Sequence, residues 1–270
     1  MDVDYTFLLC ENQRIEETLC LDDYTTFKDG VTGKQRMILF DWLVDVQVAF
    51  QLSDSSLFLA ASLFDRYCMS TQTVKKKYIQ LYGIVCLLLA SKFHNEASPS
   101  TFSAKNCVSL IQNTFPLKRV LEAEYEVLLQ VKHRLAIPTV MTFLHLLWEV
   151  TELPVGAREL SSYLVHKTLY SNKLVAMRPS TLSTCCLYIA MCSRTTCQKM
   201  DEIIRSIDGL QRPLTQDLEY YSSVIKSEIW QDPISTKNNK VLDAVERKCP
   251  KIANRVLAST SPQEKHAPYA

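Results

Sequence analysis

The sequence predicts an all-α protein, on three observations. Glycine occurs only 5 times in 270 residues, well below the usual share of about 7%, so tight hairpin turns and glycine-rich phosphate loops are nearly unavailable. Apolar residues recur with a period near 3.6 from end to end. Short polar or proline-bearing joints separate these stretches. With 47% hydrophobic and 22% charged residues, the chain can bury one large core or two smaller ones.

The elements follow in order. A first helix is expected from about Asp4 to Leu19, before the acidic link "LDDYTTFKDGVTGK". The next, "RMILFDWLVDVQVAF", ends near "QLSD", where Ser53 or Asp54 makes a good N-cap for "SSLFLAASLFDRYCM". The third of this series, "YIQLYGIVCLLLASKF", has only Gln80 and Ser91 on a narrow polar edge and reads as the central post of a bundle. A short helix near Ser103 to Gln112 follows, and Pro116 starts a longer one, "LKRVLEAEYEVLLQV". Pro138 then opens a second series, "TVMTFLHLLWEV", "GARELSSYLVHKTLY", "STLSTCCLYIAMCS", "KMDEIIRSI" and "TQDLEYYSSVIKSEIW". Its apolar centre, around Leu187, lies about 100 residues after that of the first post near Cys86, and the repetition suggests an internal duplication of fold.

Bulk properties exclude several classes. The formal net charge is +1, from 30 basic and 29 acidic side chains, against the basic surplus of a dedicated nucleic-acid binder. No apolar run approaches the ~18–20 residues that span a bilayer, and "MDVDYTFLLCENQ" lacks the basic start of a signal peptide, so the chain reads as intracellular. Neither GxGxxG nor GxxxxGK[ST] occurs. The 10 cysteines show no CxxC and no neighbouring His pair, and are expected to be small buried thiols rather than metal ligands. No serine or cysteine has an evident His–Asp pairing, so no catalytic group, metal or cofactor is expected.

One helix raises a question. In "RMILFDWLVDVQVAF", steps of about 100° place Ile38, Leu39, Phe40, Trp42, Leu43, Val44, Val46, Ala49 and Phe50 in an arc of roughly 240°. Arg36 projects near the centre of that arc, while Asp41 and Asp45 mark the narrow polar stripe. A buried guanidinium needs a carboxylate. Asp65, stranded between Phe58 and Ala61 on the next helix, is the expected partner.

These residues carry a resemblance. "RMILFDWL", "LFDRY", "LASKF" and the glutamate of "LEAEYEVL" closely resemble the cyclin box, and five positions characteristic of that family, Arg36, Asp65, Leu81, Lys92 and Glu124, are all present. "IPTVMTFL" looks like the A/B-type, mitotic branch. The resemblance spans roughly residues 4 to 230. It implies two tandem five-helix cyclin-box repeats with a preceding N-terminal helix: 1–33 N-terminal helix and linker, 34–136 first repeat, 137–231 second repeat and 232–270 a polar, mobile tail in which Val241 to Leu257 could add one weak helix.

By the same resemblance, Lys92 and Glu124 would hydrogen-bond the mobile regulatory helix of a cyclin-dependent protein kinase, with apolar contacts from Leu89, Phe93, Tyr125, Leu128 and Leu135. From the residues alone, an intramolecular Lys92–Glu124 salt bridge is the simpler expectation, and the two are compatible. A docking groove for substrates or inhibitors with short basic-x-leucine motifs would be formed by Gln35, Ile38, Leu39, Trp42, Asp45, Lys76, Ile79 and Gln80. Gln35 replaces the methionine usual in that groove, Lys76 stands for a frequent arginine, and His94 and Asn95 replace an acidic pair. The one RxxL, Arg36 to Leu39, lies inside a helix, and no KEN occurs, so no destruction signal of the mitotic kind is read here. The implied function is a kinase-activating regulatory subunit of the cell cycle in nucleus and cytoplasm, without membrane or direct nucleic-acid partners. A transcriptional-type cyclin, or a transcription-initiation factor built on the same tandem fold, are the alternatives.

Overall fold

A computed structural model describes residues 4–18, 30–71, 74–97, 101–192, 215–229 and 242–253. Among them every long element is a helix: α1 (Tyr5–Thr18), α2 (Gly33–Ala49), α3 (Asp54–Ser70), α4 (Ile79–Phe93), α5 (Ala104–Leu110), α6 (Leu117–Gln130), α7 (Val140–Val150), α8 (Ala157–Thr168), α9 (Pro179–Cys192), α10 (Thr215–Ile229) and α11 (Ala244–Lys248). None is long and apolar enough to cross a membrane.

The starts of these helices are written locally. Thr32 caps α2 in a reciprocal box with Gln35: the Thr32 hydroxyl accepts from the Gln35 amide, and the Gln35 side chain accepts from the Thr32 amide at 2.9 Å. Ser53 caps α3, as its sequence position suggests, by accepting from the Ser56 amide at 3.1 Å. Thr139 forms a similar box with Thr142 before α7, and before α5 the Ser103 amide donates to Asn106 Oδ1 at 3.0 Å. Pro116 stands just before α6, where its missing N–H costs nothing. Gly156, at φ 81°, supplies the left-handed turn into α8 that a side chain would strain.

Helices α2, α3, α5 and α6 surround α4, which is buried from Leu81 through Ser91. Gly83 lets α2 approach closely, since a Cβ there would lie 2.6 Å from Leu39 Cδ1. In the second series α7, α8 and α10 pack around α9. The architecture is all-α, with the tandem helical repeat the sequence implies. The segment "KMDEIIRSI" lies outside the described residues. Among the thiols, Cys86, Cys107, Cys185 and Cys186 are fully buried between helices, and the described residues hold no group of three or more His, Cys, Asp or Glu side chains placed to bind a metal.

Polar contacts bind the two repeats together. Glu16 of α1, buried, accepts from the Ser180 amide at 2.8 Å and the Ser180 hydroxyl at 2.6 Å, fastening the first helix to the start of α9. Arg36 and Asp65 meet in a fork: Nε and Nη2 each donate to one carboxylate oxygen at 2.8 Å. The third donor, Nη1, reaches the Leu169 carbonyl just after α8 at 2.8 Å, and the guanidinium lies 4.4 Å over the Phe40 ring. The pair therefore joins α2, α3 and the second repeat. Burial pulls Arg36 down to about 9 and pushes the Asp65 carboxyl up; the forked contact between the two opposes both shifts.

The final described segment holds a short helix, Ala244–Lys248, within the Val241 to Leu257 stretch where a weak one was expected, and it is docked on the fold. Residues 232–270 read as a polar, mobile tail, yet residues 242–253 are packed, with Ala244, Val245 and Ala253 at most 2% exposed. They lie against α2 and α8. The Asp41 carboxylate, expected on a polar stripe, is buried because it accepts from the Tyr170 hydroxyl and the Ala244 amide, both at 2.8 Å. Lys248 reaches Asp54, Gln47 Oε1 at 2.8 Å and His166 Nε2 at 2.8 Å, while His166 Nδ1 donates to the Ser162 carbonyl. What looked like a solvated edge is the seat of the terminal segment.

This cluster has an acid signature. Burial raises the Asp54 pKa, but the close approach of His166 and Lys248 outweighs that and holds the carboxyl well below the usual carboxylate range. A depressed folded-state pKa contributes stability that is present above the unfolded value, ~3.9, and is lost as pH falls through the folded one. The stability gap between the wild type and Asp54→Asn is expected to be constant above about pH 5 and to narrow below ~pH 4. Urea midpoints across that range measure it.

Candidate functional site

Two surfaces carry the site residues. The first lies where α4 ends beside α6. Lys92, exposed in the last turn of α4, suits the helix dipole there. Its Nζ pairs with Glu124 Oε1. The intramolecular ion pair that the residue types suggested is thus present, and Lys92 keeps two further ammonium donors.

Helix α6 is apolar on both sides. Val120, Ala123 and Val127 face the core, whereas Leu117, Leu121, Tyr125 and Leu129, spaced four apart, point outward. Tyr125 is 61% exposed, and Phe93 at the end of α4 is 43% exposed. Several large apolar side chains beside a preformed ion pair make a patch suited to a partner protein. Leu128 and Leu135 are half-buried against the core. Leu89, expected among the contact residues, is almost wholly buried because it belongs to the core-facing side of α4. Leu117, Leu121 and Leu129 were missed, although their i, i+4 spacing was readable. A second apolar stripe looks like core until it proves to be left open by the described residues.

The second surface runs along α2 and the start of α4. Ile38 is 39% exposed, Trp42 is half-buried, and Lys76 and Gln80 are exposed. Leu39 and Ile79, expected in the docking set, are buried in the core. Gln35 is engaged in the capping box, so its side chain is turned to the start of α2. Asp45, expected to attract a basic residue from outside, already holds one: Arg247 Nη2 lies 2.8 Å from both its carboxylate oxygens.

Residues 6–136, which contain both surfaces, match the family described as cyclin, N-terminal domain. Over these residues, just under half of its length, the chain is similar to the cyclin family. The chain is 29% identical over 185 residues to cyclin-B2-1 of Oryza sativa subsp. japonica, covering 68% of this chain and 43% of that one. It is 34% identical over 156 residues to the G2/mitotic-specific cyclin-B2 of Bos taurus, covering 57% and 38%. The match therefore spans less than half the length of these curated relatives. In structure the chain resembles a viral cyclin from herpesvirus saimiri, with a TM-score of 0.67 at 19% identity, over 82% of this chain and 96% of that one. The chain is thus similar in sequence to mitotic, B-type cyclins and shares its helical fold with a viral cyclin.

Proposed function

We propose that this chain is a cyclin, a non-catalytic regulatory subunit that binds and activates a cyclin-dependent protein kinase, helps recruit its substrates and thereby controls cell-cycle progression, acting in nucleus and cytoplasm. The observation that carries this reading is the Lys92–Glu124 pair set beside the outward apolar stripe of α6. The stripe supplies area to bury, and the ion pair offers donors and acceptors to the backbone of a helix laid across it. Activation then needs no catalytic group from this chain. A surface that binds one arrangement of the kinase's movable helix better than the other shifts the population toward it, placing the kinase's glutamate against its ATP-positioning lysine. The test is co-elution of the purified chain with each of a panel of cyclin-dependent kinases, with peptide phosphorylation as readout. Failure to bind or stimulate any of them would overturn the reading; stimulation of a transcriptional kinase alone would move the role from division to transcription.

Substrate recruitment rests on the α2 groove, in which Ile38 and Trp42 would seat a leucine. Trp42→Ala is expected to lower phosphorylation of substrates with a basic-x-leucine motif by about tenfold or more, as for loss of a buried aromatic anchor. Phosphorylation of a short peptide without the motif should stay within twofold. Equal loss on both substrates would place Trp42 in kinase binding or in folding instead.

A further inference from the structure

The acidic end of that groove is occupied by the protein's own chain. Arg247 Nη2 donates to both oxygens of Asp45 at 2.8 Å, and its Nη1 pairs with Asp243. The segment that carries Arg247 is held from beneath. The Ala244 amide donates to Asp41 at 2.8 Å, the Val245 amide to the Tyr170 hydroxyl at 3.3 Å, and Lys248 reaches the Asp54, Gln47 and His166 cluster. Both residues of the Arg247–Asp45 pair are, by contrast, nearly half exposed, with side-chain exposures of 45% and 44%. The backbone is anchored while the guanidinium sits in water's reach.

We infer that Arg247 is an intramolecular competitor for the basic residue of a docking motif, and so sets how strongly this groove discriminates between basic and neutral peptides. The inference rests on the docking reading of the α2 surface. A motif's arginine or lysine and Arg247 need the same carboxylate, because Asp45 is the acidic member of the groove set. Arg247 is tethered and always present, whereas the peptide must find the site. It can also yield without unfolding anything. Asp243, one helical turn earlier, remains as a second carboxylate for the displaced guanidinium. Exposed pairs of this kind hold by 0–1 kcal/mol, so the competition is mild and reversible. It corresponds to at most about fivefold in apparent affinity.

The neutral case differs. A peptide with alanine in place of the basic residue does not contest Asp45, and its leucine meets the same Ile38 and Trp42 whether or not Arg247 is paired. Competition is therefore visible as a change in the ratio of the two affinities rather than in either alone.

The experiment measures, by fluorescence anisotropy with the full chain, a labelled basic-x-leucine peptide and its basic-to-alanine counterpart against wild type, Arg247→Ala, Arg247→Gln and Trp42→Ala. Both Arg247 variants are expected to bind the basic peptide about three- to fivefold more tightly and the neutral peptide within twofold of wild type. Raising the salt concentration should shrink the difference, as for exposed charges. Arg247→Gln keeps most of the side-chain stem, so agreement between the two variants separates competition from loosened packing. An unchanged affinity ratio, or weaker binding of the basic peptide by both, would overturn the proposal while leaving the groove itself intact if Trp42→Ala still abolishes binding. If Trp42→Ala binds as well as wild type, or no protein binds either peptide, the groove reading fails and the proposal falls with it.

Discussion

Removing the Asp65 carboxylate, as Asp65→Ala, is expected to lower folding stability by about 3–5 kcal/mol, a large share of the roughly 5–15 kcal/mol that holds a domain together. The size follows from what is left behind. Arg36 is 2% exposed and would keep a guanidinium facing Phe40 and a cavity, with only the Leu169 carbonyl to satisfy it. Arg36→Ala should cost a comparable amount, because it leaves a buried carboxylate and deprives the Leu169 carbonyl of its donor. Replacing both at once, Arg36→Met with Asp65→Leu, should cost less than either single change, since no unpaired charge is then buried. Urea unfolding of the four proteins decides the matter. Single-variant losses below about 1 kcal/mol would mean that the pair behaves like an exposed one. Because Arg36 also reaches past α8, unfolding of the two repeats should be coupled in the wild type and separate into two transitions in the single variants.

The second large effect is functional rather than structural. Lys92→Ala/Glu124→Ala is expected to lower kinase affinity by about 30-fold or more, from roughly 2 kcal/mol for a central charged anchor of an interface. Stimulation of the kinase at limiting amounts of this chain should fall in parallel. Folding stability should change by no more than about 1 kcal/mol, because Lys92 is about half exposed and removing both partners leaves no unpaired charge behind. The contrast is the point of the test: the Arg36–Asp65 pair is architecture, and the Lys92–Glu124 pair is surface. A double variant that stays folded and still activates would remove the interface from α4 and α6. Tyr125→Ala, which takes away exposed ring area without touching the ion pair, provides an independent check on the same surface.

Much of this was legible along the chain because it depends on local chemistry. Ser53 and Pro116 mark helix starts by what their own side chains can or cannot bond, and the structure places them there. The near-continuous apolar run of α4 could only be a buried post. Arg36 and Asp65 could be matched because each was a lone charge in an apolar arc, and a lone buried charge has few affordable explanations. The outward stripe of α6 was harder. Leu117, Leu121, Tyr125 and Leu129 have the spacing of a core face, and the opposite face, Val120, Ala123 and Val127, has it too. Periodicity says that a face is apolar without saying whether anything covers it.

Helix positions, their caps, the buried ion pair and the two-repeat plan were determined by the amino-acid sequence itself, since periodicity, capping chemistry and the cost of isolated charges act within a few residues or between lone opposites. The tertiary structure alone decided which apolar and acidic edges remain open. Asp41 and Asp45 look like a solvated stripe in the sequence, but one is buried under Tyr170 and the Ala244 amide and the other is held by Arg247, some 200 residues away along the chain. Contacts of such separation depend on how every intervening helix packs, and no local pattern encodes them.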